Sequence, residues 1–226
     1  MKFVLMDVEG TTTSISFVHE VLFPFSRERM ESFVTHNISQ KEVRESLDLV
    51  KADAKKEGLG ELGDKQAVLL LLKWIKEDRK HFALKTLQGL IWEEGYKSGE
   101  IKGHVYEDVL PCFKIWSEKG LALGIYSSGS VKAQHLIFEY STSGNLRPYL
   151  KAHFDTLVGH KREVQSYLNI AKELGLNPNE ILFLSDIKEE LDAAKDAGMM
   201  TTQLVRDENV VRGSHAVIGQ FGELSI

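Results

Sequence analysis

Cysteine, a basic surplus and long apolar runs are what this chain of 226 residues has little of. Its single cysteine, Cys112, excludes an intrachain disulfide and gives no sign of an oxidising compartment. No stretch approaches the roughly 18 apolar residues that a membrane-spanning helix needs. The apolar run at the N-terminus meets Asp7 at once, too early for a signal segment. Lys and Arg number 28 against 33 Asp and Glu, a formal net charge of −5. That balance argues against broad binding to nucleic acid or to a membrane surface, while leaving room for a local basic pocket that holds a small anion. What is present, 42% apolar and 27% charged residues, is the profile of a soluble globular protein. The length suits one large domain, or a core with a smaller domain attached. A cytoplasmic protein is expected, so the sequon Asn37-Ile38-Ser39 carries no meaning.

Hydrophobic patterning divides the chain. Phe3 to Met6 is a continuous apolar run, as in a strand buried on both faces of a parallel sheet. From Phe17 to about Gly99 helical periods dominate. Ser39 and Glu42 form a capping-box pattern, followed by Val43, Leu47, Val50 and Ala54 at helical spacing. Val68, Leu71, Leu72 and Ile75, with Trp74, repeat that spacing and read as core. Beyond Glu107 helical and apolar stretches alternate: helix over 107–119, strand over 121–126, helix from Ser130, strand over 154–158, helix over 162–174, strand over 181–185, helix over 188–197 and strand over 201–205. This alternation predicts an α/β fold, a doubly wound parallel sheet, with an all-helical cap inserted after the first strand. The expected domains are 1–16 with 100–226 for the core and 17–99 for the cap.

Ligands of an open α/β sheet sit beyond the carboxyl ends of its strands. There the sequence places Asp7 and Glu9, then Ser127, Ser128 and Gly129, then Gly159-His160-Lys161, then Asp186. Carboxylates would hold a divalent cation; hydroxyls and an ammonium would hold an anion. Each residue also has a plain structural role open to it. Asp7 could be a turn acid, Glu9 a solvated loop acid and Lys161 a surface lysine. Ser127 or Ser128 could cap the following helix, and Asp186 the helix starting near Lys188. His153 and His160 read as structural. The formal G-x-G-x-x-G of Gly58 to Gly63 follows a helix rather than a strand, so it is read as helix punctuation and not as a dinucleotide loop.

Asp7-x-Glu9-Gly10-Thr11, Ser127, Lys161 and Asp186, in that order, resemble the four motifs of the haloacid dehalogenase superfamily, most of whose members are phosphatases. "DVEGTTT", "VLFPFS", "DRK", "LKTLQG", "YSSGSVKAQ", "HFDTLVGHK" and "ILFLSD" are similar more narrowly to the bifunctional enolase-phosphatases of methionine salvage (acireductone synthases). That resemblance implies conversion of 2,3-diketo-5-methylthiopentyl-1-phosphate to 1,2-dihydroxy-3-keto-5-methylthiopentene and phosphate, through an aspartyl-phosphate. Asp7 is then the nucleophile. Asp7, Asp186 and residue Glu9, through its backbone carbonyl, hold one Mg²⁺ per subunit. The Glu9 side chain acts as acid and base. Ser127, Ser128 and Lys161 bind the phosphoryl group. The enolisation base is open between Glu9 and the cap residue Lys85. The partner is a small phosphorylated diketone, with no nucleic acid or membrane, and a monomer is expected. Three rivals stand beside this reading. Another capped Mg²⁺-dependent phosphatase shares the four motifs. A receiver-like phosphoacceptor switch lacks the D-x-E-G-T turn and the helical insertion. A carbon–halogen hydrolase needs neither a metal nor a second acid.

Overall fold

A computed structural model describes residues 1–225. The chain order is β1 (Phe3–Met6), a π-helical segment over Phe17–Leu22, α1 (Phe23–His36), α2 (Lys41–Lys56), α3 (Asp64–Lys76), α4 (Phe82–Ser98), α5 (Val109–Glu118), β2 (Ala122–Tyr126), α6 (Val131–Glu139), β3 (Leu150–Phe154), α7 (Val164–Leu174), β4 (Ile181–Ser185), α8 (Lys188–Asp196), β5 (Met200–Leu204) and β6 (Ala216–Ile218). Two compact units result, one of Met1–Phe17 with Lys102–Ile226 and one of Val18–Ile101.

The first unit is a six-stranded, all-parallel sheet in the order β3-β2-β1-β4-β5-β6. Its central strand is the first in sequence, so sheet growth reverses direction there. Side chains of a strand alternate between faces. Phe3, Leu5, Tyr126 and Phe183 accordingly join Tyr167 and Ile170 of α7 and Leu191 and Ala194 of α8 in one core cluster. Val4, Met6, Leu123, Ile125, Leu182 and Leu184 are equally buried, and α5 and α6 pack on β2 and β3. Burial on both faces is why β1, β2 and β4 read as unbroken apolar runs. Truncating a side chain such as Leu5 in this layer costs about 2–5 kcal/mol.

The third strand lies at Leu150–Phe154, four residues before the expected 154–158. The reason is its place at the sheet edge, where Lys151 is exposed and Ala152 and His153 are half-buried, so the strand has no continuous apolar run. The residues expected as strand turn instead: Asp155 Oδ1 accepts from Leu157 N at 2.9 Å.

The second unit is all-helical. Met30, Val34, Val43, Leu47, Val50, Leu71, Trp74, Leu87 and Ile91 are buried in it, and α4 packs against α1 and α2. The expected capping box of Ser39 and Glu42 does not form. The N-cap of α2 is Gln40, which leaves Ser39 one residue out of phase. Gly58, at φ +80°, takes the left-handed turn just past α2, and Gly63 begins α3, its N–H bonded to Gln66 Oε1 at 2.7 Å. The glycines of 58–63 therefore end one helix and start the next. No helix among the described residues is long and apolar enough to cross a membrane.

Candidate active site

Met6 pairs with Ile125 on one side and with Leu184 on the other. The residues that follow these three strands therefore emerge side by side. Asp7, Ser127 and Asp186 are each 4% exposed, Lys161 6% and Glu190 8%. Together with Glu9, Ser128, Ile15 and Ile187 they line one cavity of about 130 Å³. The six candidate site residues Asp7, Glu9, Ser127, Ser128, Lys161 and Asp186 all stand around it. Lys85 is half-buried on α4, in the other unit.

The loop after β1 explains its three threonines. Gly10 turns with φ +74°, and a Cβ there would run into the Asp186 carboxylate. Thr11, Thr12 and Thr13 all send their N–H groups to Val8 O, at 3.3, 3.0 and 2.8 Å. The Thr11 hydroxyl accepts from Asp186 N at 3.1 Å. Thr12 Oγ1 donates to Asp7 O at 3.1 Å, and Thr13 Oγ1 to His104 O at 2.6 Å. The Thr11 hydroxyl thus ties the first acid loop to the last one, and the Thr12 hydroxyl holds the backbone of Asp7.

Lys161 comes seven residues beyond β3, on a loop that α7 holds from below. Asn169 donates to Val158 O at 3.1 Å, Ser166 Oγ to His160 O at 2.7 Å and Tyr167 OH to Lys161 O at 2.6 Å. Tyr126 OH donates to Gly159 O at 2.9 Å, with its phenol pushed up to about 12 by burial. Held in this way, Lys161 Nζ reaches Asp7 Oδ1 at 2.5 Å and Glu190 Oε2 at 2.6 Å.

Glu190 was not anticipated. Its oxygen also accepts from Ser185 Oγ at 3.0 Å. In the sequence it hides in "KEELD", where acids in a first helical turn read as partners of the helix dipole. Its place four residues after Asp186, one helical turn further on, is the only signal. Two capping expectations are corrected here. The N-cap of α6 is Ser130, whose Oγ accepts from Ala133 N at 3.3 Å, rather than Ser127 or Ser128. The N-cap of α8 is Ile187 rather than Asp186. Ser127 Oγ accepts the nearby Gly129 N–H, at 3.1 Å. Nor are His153 and His160 among the cavity's residues; His153 bonds Gln134 Oε1 at 3.1 Å and is lowered to about 4 by burial and by the neighbouring His135 and Arg147.

The cluster is short of positive charge. Three buried carboxylates face one buried ammonium. Burial pushes Asp186 up to about 7, with the charge of Asp7 adding to the rise, and the same two causes push Glu190 up to about 7. Burial alone would lower the Lys161 ammonium, but Asp7 and Glu190 outweigh it and raise it. Asp186 Oδ1 is buried with no hydrogen-bond partner among the described residues. An orphaned carboxylate oxygen, hard donors and excess negative charge fit a divalent cation. Among the described residues no three His, Cys, Asp or Glu side chains are gathered to hold an ion. Asp7 and Asp186 both line the cavity, and a divalent cation held by few carboxylates takes its remaining positions from backbone carbonyl, water or substrate.

A parallel sheet with acids, a hydroxyl and a lysine at its strand ends defines a class. Residues 1–198 match the haloacid dehalogenase-like hydrolase family, to which the chain belongs. Within that class, it is similar over its whole length to proteins named enolase-phosphatase E1. It is 50% identical to enolase-phosphatase E1 of Drosophila willistoni, covering 100% of this chain and 97% of the relative. It is 49% identical to enolase-phosphatase E1 of Aquifex aeolicus, covering all of both chains. Among solved structures, the UTR4 protein of Saccharomyces cerevisiae superposes with a TM-score of 0.81 at 34% identity, over 99% of each chain. A haloacid dehalogenase-class phosphatase of Thermococcus onnurineus shares the fold, with a TM-score of 0.62 at 21% identity and 99% and 95% coverage.

Proposed function

We propose that this chain is the enolase-phosphatase of methionine salvage, taking 2,3-diketo-5-methylthiopentyl-1-phosphate to 1,2-dihydroxy-3-keto-5-methylthiopentene and phosphate. The observation that carries the reading is the buried group of Asp7, Lys161, Asp186 and Glu190 beside Ser127, in a chain alike over its whole length to proteins of that name.

The product has its double bond between C1 and C2, so a proton leaves C1, the carbon that carries the phosphate, and one is delivered to the C2 oxygen; in this reading that enolisation comes before the phosphate departs. An Asp7 carboxylate oxygen then attacks phosphorus and the bond from phosphorus to the C1 oxygen breaks, leaving an aspartyl-phosphate. Glu9 gives a proton to the departing oxygen. It later takes one from the water that attacks the acyl phosphate, which releases inorganic phosphate and restores Asp7. Lys161 balances charge on the transferring phosphoryl oxygens, with Ser127 and Ser128 as hydroxyl donors. Glu190 holds the Lys161 ammonium against Asp7. Asp7 and Asp186, with the Glu9 backbone carbonyl, would hold one Mg²⁺. When bound, that ion supplies charge neutralisation between carboxylate and phosphate and polarises a substrate carbonyl. Glu9 is the first candidate for the C1 proton and Lys85 the second. The helical unit, residues 18–101, acts as a cap that keeps water from the enol. On this reading the working species is a cytoplasmic monomer.

The test is a steady-state assay of the purified protein on the diketone phosphate, following enol absorbance and phosphate release separately. Both signals are expected, and both are expected to stop with EDTA and return with Mg²⁺. Phosphate release without an enol signal would reduce the reading to a simple phosphatase.

A further inference from the structure

Among the described residues, none after β5 lines the cavity, yet that segment reaches the loop after β1 through one buried side chain. Arg206 is 7% exposed at its side chain. Its Nε donates to Thr11 O at 2.7 Å. Its two terminal nitrogens fork onto Asp108, at 3.1 and 2.9 Å. The guanidinium lies between the rings of Tyr106, 4.1 Å from the centroid, and Phe221, 4.9 Å away. Asp108 is itself fixed, because Phe221 N donates to its Oδ2 at 2.6 Å. No other side chain could meet all of these demands at once: a planar cation with a bidentate fork, a third donor and two flat faces.

Thr11 is the reason this matters. Its carbonyl takes the Arg206 Nε, and its hydroxyl takes the Asp186 N–H. One fully buried residue therefore stands between Arg206 and the two acid loops. Asp186 O is held from β5 itself, by Gln203 Nε2 at 2.8 Å. Gly10, next to Thr11, leaves no room between its backbone and the Asp186 carboxylate. A shift of Thr11 is thus passed directly to the spacing of the Asp7–Gly10 turn and Asp186.

We infer that Arg206 is a positioning residue: clamped by Asp108, it sets the separation of the two acid loops and so their affinity for the divalent cation. The inference rests on the function proposed above. It assigns a working role to a segment whose sequence carries none of the chemistry.

Arg206→Lys tests it, because lysine keeps the charge but loses the fork and the flat faces. Mg²⁺ binding is measured by titration calorimetry without substrate, and kcat and KM for phosphate release are measured separately. Both are done at a temperature where circular dichroism shows parent and variant fully folded. The Mg²⁺ Kd is expected to rise by about tenfold and kcat to fall by about as much, while KM stays within about threefold. Asp108→Asn keeps the bond from Arg206 to Thr11 but loosens the fork. It is expected to move Kd in the same direction by about threefold, and it carries the test if the lysine variant does not fold. A folded variant whose Mg²⁺ Kd and kcat equal the parent's would overturn the inference and leave Arg206 as a stabilising residue only. A parent protein that binds no Mg²⁺ and releases no phosphate would instead sink the function on which the inference rests.

Discussion

In the helical unit charge stays at the surface. Lys55 and Glu61 pair with side chains 66% and 84% exposed, and Lys73 and Glu77 with 66% and 51%. The buried polar residues described there, Ser26, Ser46 and Gln88, carry no charge. In the sheet unit Asp7, Lys161, Asp186 and Glu190 are all buried within reach of one cavity. Removing an ion from water costs several kcal/mol even after relaxation. An apolar layer of similar shape would make a more stable strand end. Four charged groups buried around one cavity therefore mark chemistry rather than folding, and the other buried pair of this unit, Arg206 and Asp108, is bonded to the loop that carries the first acids.

The comparison can be broken most severely at Asp7. Asp7→Asn removes the nucleophile, and phosphate release is expected to fall by about 10⁴-fold or more. Retention of a tenth of parental kcat would mean that another group attacks phosphorus. Lys161→Ala comes next. It is expected to cost on the order of 2–4 kcal/mol of transition-state stabilisation, read as kcat/KM. An unchanged kcat/KM would return Lys161 to a purely structural role.

Asp186→Asn sharpens the contrast between function and stability. Asp186 is raised by burial and by Asp7 to about 7. The folded state therefore binds a proton that the unfolded state gives up, and stability falls as pH rises between the ordinary carboxylate range and about 7. In chelator, the variant is expected to be more stable than the parent at pH 8, by on the order of 1–2 kcal/mol, and the gain should fade towards pH 4. Thermal melts across that range decide it; a variant destabilised at pH 8 would show that the charge is well solvated. The smallest effect belongs to the helical unit. Lys55→Ala breaks an exposed pair and is expected to move Tm by about 1 °C or less. A larger loss would mean that surface charge holds the helices together.

How much of this was legible before the fold was known depended on where each residue sits. β1 and β4 are covered on both faces, so apolar runs announced them and the acids after them. Asp7, Ser127 and Asp186 could be ranked by strand-end position alone. β3 is an edge strand with only partial cover, and its register slipped by four residues. Glu190 looks like any acid of a first helical turn until Lys161 is placed beside it. Arg206 and Asp108 lie 98 residues apart, and no local pattern links them. Sequence periodicity reports one element at a time, whereas the Lys161–Glu190 and Arg206–Asp108 pairs exist only after the sheet has brought separate elements together.

The claim that the buried charges serve phosphoryl transfer through Asp7 is tested most directly by capturing the intermediate. The protein is mixed with the diketone phosphate and Mg²⁺, quenched within a single turnover, treated with borohydride and digested for mass spectrometry. An aspartyl-phosphate is reduced to homoserine under these conditions. The account predicts homoserine at position 7, absent when the cation is chelated and absent in Asp7→Asn. Homoserine at Asp186, phosphate found on Ser127, or no enzyme-bound phosphoryl group while phosphate accumulates would contradict it.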